Sequence, residues 1–280
     1  MTDCVGNLFA AAAACLAEPD PDGKLELTAS TAAQWRAGRL GSDPEGAGPA
    51  LDRPGRPPAP ELVAPRLLAR RRLSSPQGLA ALVHSVAHIE LNAIDLAWDA
   101  VQRFRGLPAE FYGDWIRVAE EEASHFGLMR GRLRELGCDY GSFPAHDGLW
   151  QMAARTAHDP LVRMALVPRV LEARGLDVTP GMIERLEAAG DRRTPAHLKV
   201  ILREEVGHVA AGSRWFRWLC TGRGLDPGPT FFGLLEAYPT GQVRGPLNLE
   251  DRRRAGFEPA ELDRLAELAG GAPGEPRPPR

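Results

Sequence analysis

Two short stretches of the chain pair a carboxylate with an imidazole three residues apart: Glu122-Ala-Ser-His125 and Glu205-Val-Gly-His208. On an α-helix, residues at that spacing share one face, so each stretch presents both groups together. A lone glutamate on an apolar segment precedes each pair. Glu90 lies 32 residues before Glu122, and Glu172 lies 33 residues before Glu205. The set is four carboxylates and two imidazoles in two similar halves. A carboxylate taken out of water without a partner is costly or takes up a proton. Four on facing helices would also repel one another. Two divalent cations cancel their charge, and two neutral imidazoles complete the coordination. Mixed carboxylate and imidazole donors suit iron or manganese, whereas zinc sites favour more nitrogen and sulfur. The candidate metal ligands are therefore Glu90, Glu122, His125, Glu172, Glu205 and His208. Glu122 and Glu205 are the natural bridging pair, Glu90 and Glu172 terminal or chelating ligands, and each histidine serves one metal. The expected cofactor is two Fe ions, with Mn or mixed Mn/Fe as alternatives. A single Glu-x-x-His is commonly a surface pair; its repetition on apolar stripes, each with an upstream glutamate, favours metal.

These ligands must be carried by four helices. Ser75-Pro76, Asp159-Pro160 and Thr194-Pro195 each place a capping residue before a proline suited to the first helical position. Leu107-Pro108 opens the remaining helix without a good cap. The predicted helices run from about 76 to 104, from about 108 to 136, from 160 past Leu176, and from 195 to about 220. Each bears its glutamate on the apolar stripe, where an amphipathic helix should have none. Glu120, Glu121 and Glu204 lie about 100° or more around the helix from the ligand face. They read as solvent-facing or outer groups. His84 and His88 are one turn apart, but no cysteine or carboxylate accompanies them at zinc spacing, and they read as surface or packing histidines. Asn92, Asp95 and Asp99 read as a polar face, with Asp95 also able to hydrogen-bond a metal-bound histidine. Pro168 should loosen the turn beside Glu172. A shorter helix is predicted at 180–189, capped by Thr179.

The remainder of the chain bounds the answer. Its 280 residues with 44% hydrophobic content suffice for a sizeable core. A net charge of −3 does not mark a nucleic-acid or membrane-surface binder. Arg70–Arg72 and Arg252–Arg254 read as solvated basic runs. Cys4, Cys15, Cys138 and Cys220 form no zinc or disulfide spacing, which points to reduced thiols in the cytoplasm. The alanine-rich stretch Leu8–Leu16 lacks the basic flank of a secretion signal, and no apolar run approaches 18 residues, so no membrane span is expected. The expected organisation is an N-terminal extension over 1–75, a helical bundle over 76–220 and a C-terminal extension over 221–280. The first extension should hold a helix ending at Glu18-Pro19, a brief extended piece and helical turn within 24–40, and a Pro/Gly-rich strap over 41–66. A loose tail follows Gly270.

Four blocks carry a family resemblance: residues 84–100, Glu121-Glu-Ala-Ser-His-Phe126, Pro144-Ala-His-Asp-Gly-Leu-Trp150 and residues 163–181. They resemble the signature blocks of a bacterial family of ferritin-like proteins of unknown function, over about residues 20–260. The resemblance implies an all-α fold: a ferritin-like antiparallel four-helix bundle, here with N-terminal and C-terminal extensions. Bundles of that kind take one Glu from each of two helices and a Glu-x-x-His from each of the other two. A more distant similarity, on the ligands alone, is to di-iron tRNA hydroxylases. The family blocks add His146 and Asp147, which either line the mouth of the site or form a structural turn. They also add Arg169, one turn before Glu172 and able to pair with a ligand carboxylate, and Arg174.

Three functions compete. One is an oxygen-activating di-iron hydroxylase or oxidase, with dioxygen, a small-molecule substrate and an electron donor as partners; tRNA stays open as a substrate. The second is a ferroxidase or peroxide-handling metal protein. The third is a non-catalytic, metal-stabilised binding bundle. The extensions would crowd a ferritin cage and could close over a substrate pocket, which favours the first. Only Tyr112, Tyr140 and Tyr238 are present, and only Tyr112 lies on a bundle helix, so radical chemistry on tyrosine is disfavoured.

Overall fold

Pro76–Arg103 (α3) is buried over most of its surface, its polar residues Asn92, Asp95 and Asp99 included. The structure, a computed structural model, describes residues 6–45, 47–69, 71–73, 75–238 and 243–270. Cys4, Arg70 and the tail beyond Gly270 lie outside the described residues. Regular structure among the described residues is almost wholly helical, in agreement with an all-α chain. The strands are limited to a two-residue parallel pair, Gly6–Asn7 (β1) beside Leu40–Gly41 (β2).

The chain divides into two compact units, Met1–Ala157 with Ala189–His197, and His158–Ala188 with Leu198–Arg280. In the first, Leu8–Ala17 (α1) and Pro21–Arg36 (α2) precede α3, which pairs with Ala109–Glu135 (α4) and meets Gly148–Arg155 (α5). Asp20 caps α2 by accepting from the Gly23 amide at 2.8 Å, so 21–36 is one helix where an extended piece was expected. Ser75 caps α3 as predicted, accepting from the Gly78 amide at 3.0 Å. α3 is long and apolar enough to cross a membrane by length and composition, but 72% of its most apolar window is buried in the fold.

The polar face of α3 is buried, and the N-terminal extension supplies partners for Asp95 and Asn92. Asp95 accepts from the buried Lys24 Nζ at 2.7 Å, and Lys24 also donates to the carbonyls of Cys15 and Leu16. Asn92 accepts from Arg56 at 3.0 Å, and Asp99 from Arg103 at 2.9 Å. Trp98 Nε1 donates to Thr28 Oγ1 at 2.9 Å.

The second unit contains Pro160–Leu166 (α6), a π-helical turn at Val167–Glu172, Ala173–Ala188 (α7), most of Arg193–Gly222 (α8), Pro227–Ala237 (α9), Leu249–Arg254 (α10) and Pro259–Leu268 (α11). Asp159 caps α6 as predicted. Asp191, not Thr194, serves α8, accepting from the amides of Arg193 and Thr194. Pro168 yields the predicted loosening as a π-turn, a known way to absorb a missing donor. The separate helix at 180–189 does not form. Pro180 sits inside α7, and the Leu176 carbonyl one turn earlier, which Pro180 cannot serve, accepts instead from Asn248 Nδ2 at 3.3 Å. Arg252 is buried, not solvated, with Nε and Nη2 on Asp177 at 2.9 and 2.7 Å; Arg253 and Arg254 are exposed as expected.

Candidate metal centre

α3 supplies Glu90, and α4 supplies Glu122 and His125. All three are buried, with at most 3% exposure. Their i,i+3 spacing sets His125 Nδ1 3.2 Å from Glu122 Oε2, and the packing of α3 on α4 sets the same nitrogen 3.4 Å from Glu90 Oε2. The three ligand atoms lie within 4.8 Å of one another, so this group could hold a metal ion. Burial raises Glu90 to about 8, with the neighbouring Glu122 charge adding to it. Burial opposes a charge on the His125 ring, but hydrogen bonding to Glu122 and Glu90 outweighs it and raises His125. Glu90 Oε2 is buried, and its 3.4 Å contact with the His125 ring falls short of a well-aligned hydrogen bond. An oxygen in that position suits a cation as its partner, so the donors fit a hard or borderline metal.

In the second unit α8 presents Glu205 and His208, both buried, with Glu205 Oε2 3.7 Å from His208 Nδ1. Glu172 is half-buried as the last residue of the π-turn, and its Oε2 atom is enclosed. Each predicted Glu-x-x-His pair therefore forms on its helix.

The groups expected around the ligands behave differently. Asp95 is held by Lys24 and not by a ligand histidine. Arg169 pairs with Glu261 at 2.7 Å and not with a ligand carboxylate. Glu120, Glu121 and Glu204 do sit off the ligand face, beside Arg36, Arg117 and Arg203. His88 is a packing histidine, but a buried one: Tyr140 Oη lies 2.8 Å from Nδ1 and the His146 carbonyl 3.1 Å from Nε2. The His146 carbonyl can only accept, which favours a proton on Nε2, while the Asn92 amide nitrogen also lies 3.1 Å from that atom. Burial lowers His88 to about 4, in keeping with a neutral ring. His84 accepts from the Gly141 amide at 2.9 Å and stacks on Tyr140.

The 144–150 loop does meet the N-terminal extension, but away from Glu90. Leu68, Arg71, Phe143 and His146 join His88 and Ile89 of α3 around a cavity of about 370 Å³. His88 lies about 200° around the helix from Glu90. Asp147 pairs with Arg56 at 2.6 Å. The Arg56–Asn92–Asp147 group and Lys24 were not legible as partners of α3, because their contacts span up to 91 residues of chain.

Residues 17–263 match the family described as "Protein of unknown function (DUF455)", and the chain belongs to that family. The chain is also 46% identical, over 219 residues, to an uncharacterized protein of Haemophilus influenzae, with 76% of each chain covered. No solved structure matches it.

Proposed function

We propose that this chain is a di-metal carboxylate protein, with a ferritin-like four-helix bundle formed by α3, α4, the α6–α7 segment and α8. In this reading Glu90, Glu122, His125, Glu172, Glu205 and His208 hold two iron ions, and the protein is an oxygen-activating hydroxylase or oxidase acting on a small organic substrate. The observation that carries it is the buried convergence of Glu90, Glu122 and His125. The repetition of the same residue types at nearly the same spacing in Glu172, Glu205 and His208 supports a second, matching half. Iron held this way supplies dioxygen activation when an electron donor reduces it. The chain's own part is to hold the ligands. Phe126 and Met129, which follow His125 on α4, are both fully buried. Glu172 ends the π-turn, whose backbone hydrogen bonding departs from the regular helix. The free thiols Cys15, Cys138 and Cys220 fit a reducing compartment, and we place the protein in the cytoplasm.

A second reading, metal or peroxide handling without an organic substrate, draws support from the position of the first unit's cavity, at His88 and not at Glu90. The two readings part when anaerobically loaded ferrous protein meets dioxygen. Oxidation that stops near two irons per chain fits the hydroxylase or oxidase. Continued oxidation with a growing mineral core sinks it in favour of a ferroxidase.

A further inference from the structure

The second unit has a partly open cavity of about 210 Å³ whose lining includes four arginines: Arg169, Arg174, Arg244 and Arg252. Arg169 is fully buried. Its Nη2 donates to Glu261, but its Nε and Nη1 are enclosed without a hydrogen-bond acceptor. The rings of Phe216, Phe231 and Phe257 lie 4.2–4.8 Å from its guanidinium carbon. Aromatic faces attract a cation but do not neutralise it. Arg252 is also buried; Asp177 takes its Nε and Nη2, and its Nη1 is enclosed without an acceptor. Arg174 donates to the Arg244 carbonyl, and the exposed Arg244 has no acidic partner among the described residues. Four guanidiniums thus face two carboxylates, Asp177 and Glu261. The surplus charge lies on Arg174 and Arg244, which water reaches, and the enclosed Arg169 and Arg252 nitrogens behind them lack the acceptors an anion would supply.

The surplus of two positive charges matches a phosphoryl group, which carries about −1.5 to −2 near pH 7 with three acceptor oxygens. Arginine forks are suited to such oxygens. Phe231, Leu235 and Leu265 give the cavity an apolar side. Its volume falls below the roughly 300–1,000 Å³ of pockets for drug-sized ligands. We propose that this cavity is a binding site for a small phosphate monoester, with Arg174 and Arg244 contacting the phosphoryl oxygens and Arg169 and Arg252 supplying the field behind them. The proposal does not depend on the metal centre.

The test is calorimetric titration of the purified full chain with inorganic phosphate and with glycerol phosphate at fixed ionic strength, before and after chelator treatment. One-to-one binding that survives the chelator, and that weakens at least tenfold in Arg244→Gln and in Arg174→Gln with helical circular dichroism unchanged, bears the proposal out. Absence of binding at millimolar ligand overturns it, as does binding indifferent to both substitutions. Binding that disappears with the chelator places the phosphate on a metal and also overturns it. Equal affinity for succinate would show a site that reads charge and not the phosphoryl group, and would overturn the assigned ligand class.

Discussion

Pro168 occupies the space that Gly212 leaves by having no side chain: a β-carbon built on Gly212 would lie 2.3 Å from Pro168 Cβ and Cγ. The π-turn that ends in Glu172 thus packs directly on α8, one turn beyond His208. Gly212→Ala should destabilise the protein by about 1–3 kcal/mol through overpacking, although alanine favours a helix by about 1 kcal/mol. Urea unfolding measures it. The double variant with Pro168→Gly, which removes both clashing atoms, should recover part of the loss. A stabilised single variant would show that the turn yields freely.

Lys24 and Asp95 form a buried ion pair at 2.7 Å. Burial pushes Asp95 up to about 6 against the pull of Lys24. Lys24→Met leaves an uncompensated carboxylate and should cost about 3–5 kcal/mol at pH 7. The cost should shrink toward pH 5, because Asp95 then takes up a proton in the folded protein. A cost that is the same at both pH values would contradict the pairing.

His84 is fully buried, and burial lowers it from 6.5 to about 4. The folded protein therefore keeps this ring neutral while the unfolded chain protonates it. Its contribution is complete above pH 6.5 and is lost as pH falls toward 4, by up to about 3 kcal/mol. His84→Gln keeps an acceptor for the Gly141 amide and should flatten that part of the pH dependence of unfolding free energy. An unchanged slope would place the acid sensitivity elsewhere.

The helices and the Glu-x-x-His pairs were legible because both rest on local spacing. Ser75 and Asp159 cap where their prolines indicated, and Glu122 with His125 meet through i,i+3 geometry alone. Errors arose where a distant segment supplies the partner. Asp95 reads as part of a polar face, able to hold a ligand histidine, until Lys24, 71 residues away, takes it. Pro180 reads as a helix start until Asn248, 72 residues beyond Leu176, takes the carbonyl it leaves. Arg252 reads as part of a basic surface run until Asp177 buries it. Periodicity describes one helix at a time, and these partners are fixed only by tertiary packing.

The central claim is that Glu122 and Glu205 belong to one two-metal centre. Its most direct test is elemental analysis of the full chain after anaerobic reconstitution with ferrous or manganous ion, beside Glu122→Ala and Glu205→Ala. The account predicts close to two metals per wild-type chain, and one or none in each variant with helical circular dichroism retained. A wild-type chain that binds no tight metal, or a variant that keeps both, would contradict it.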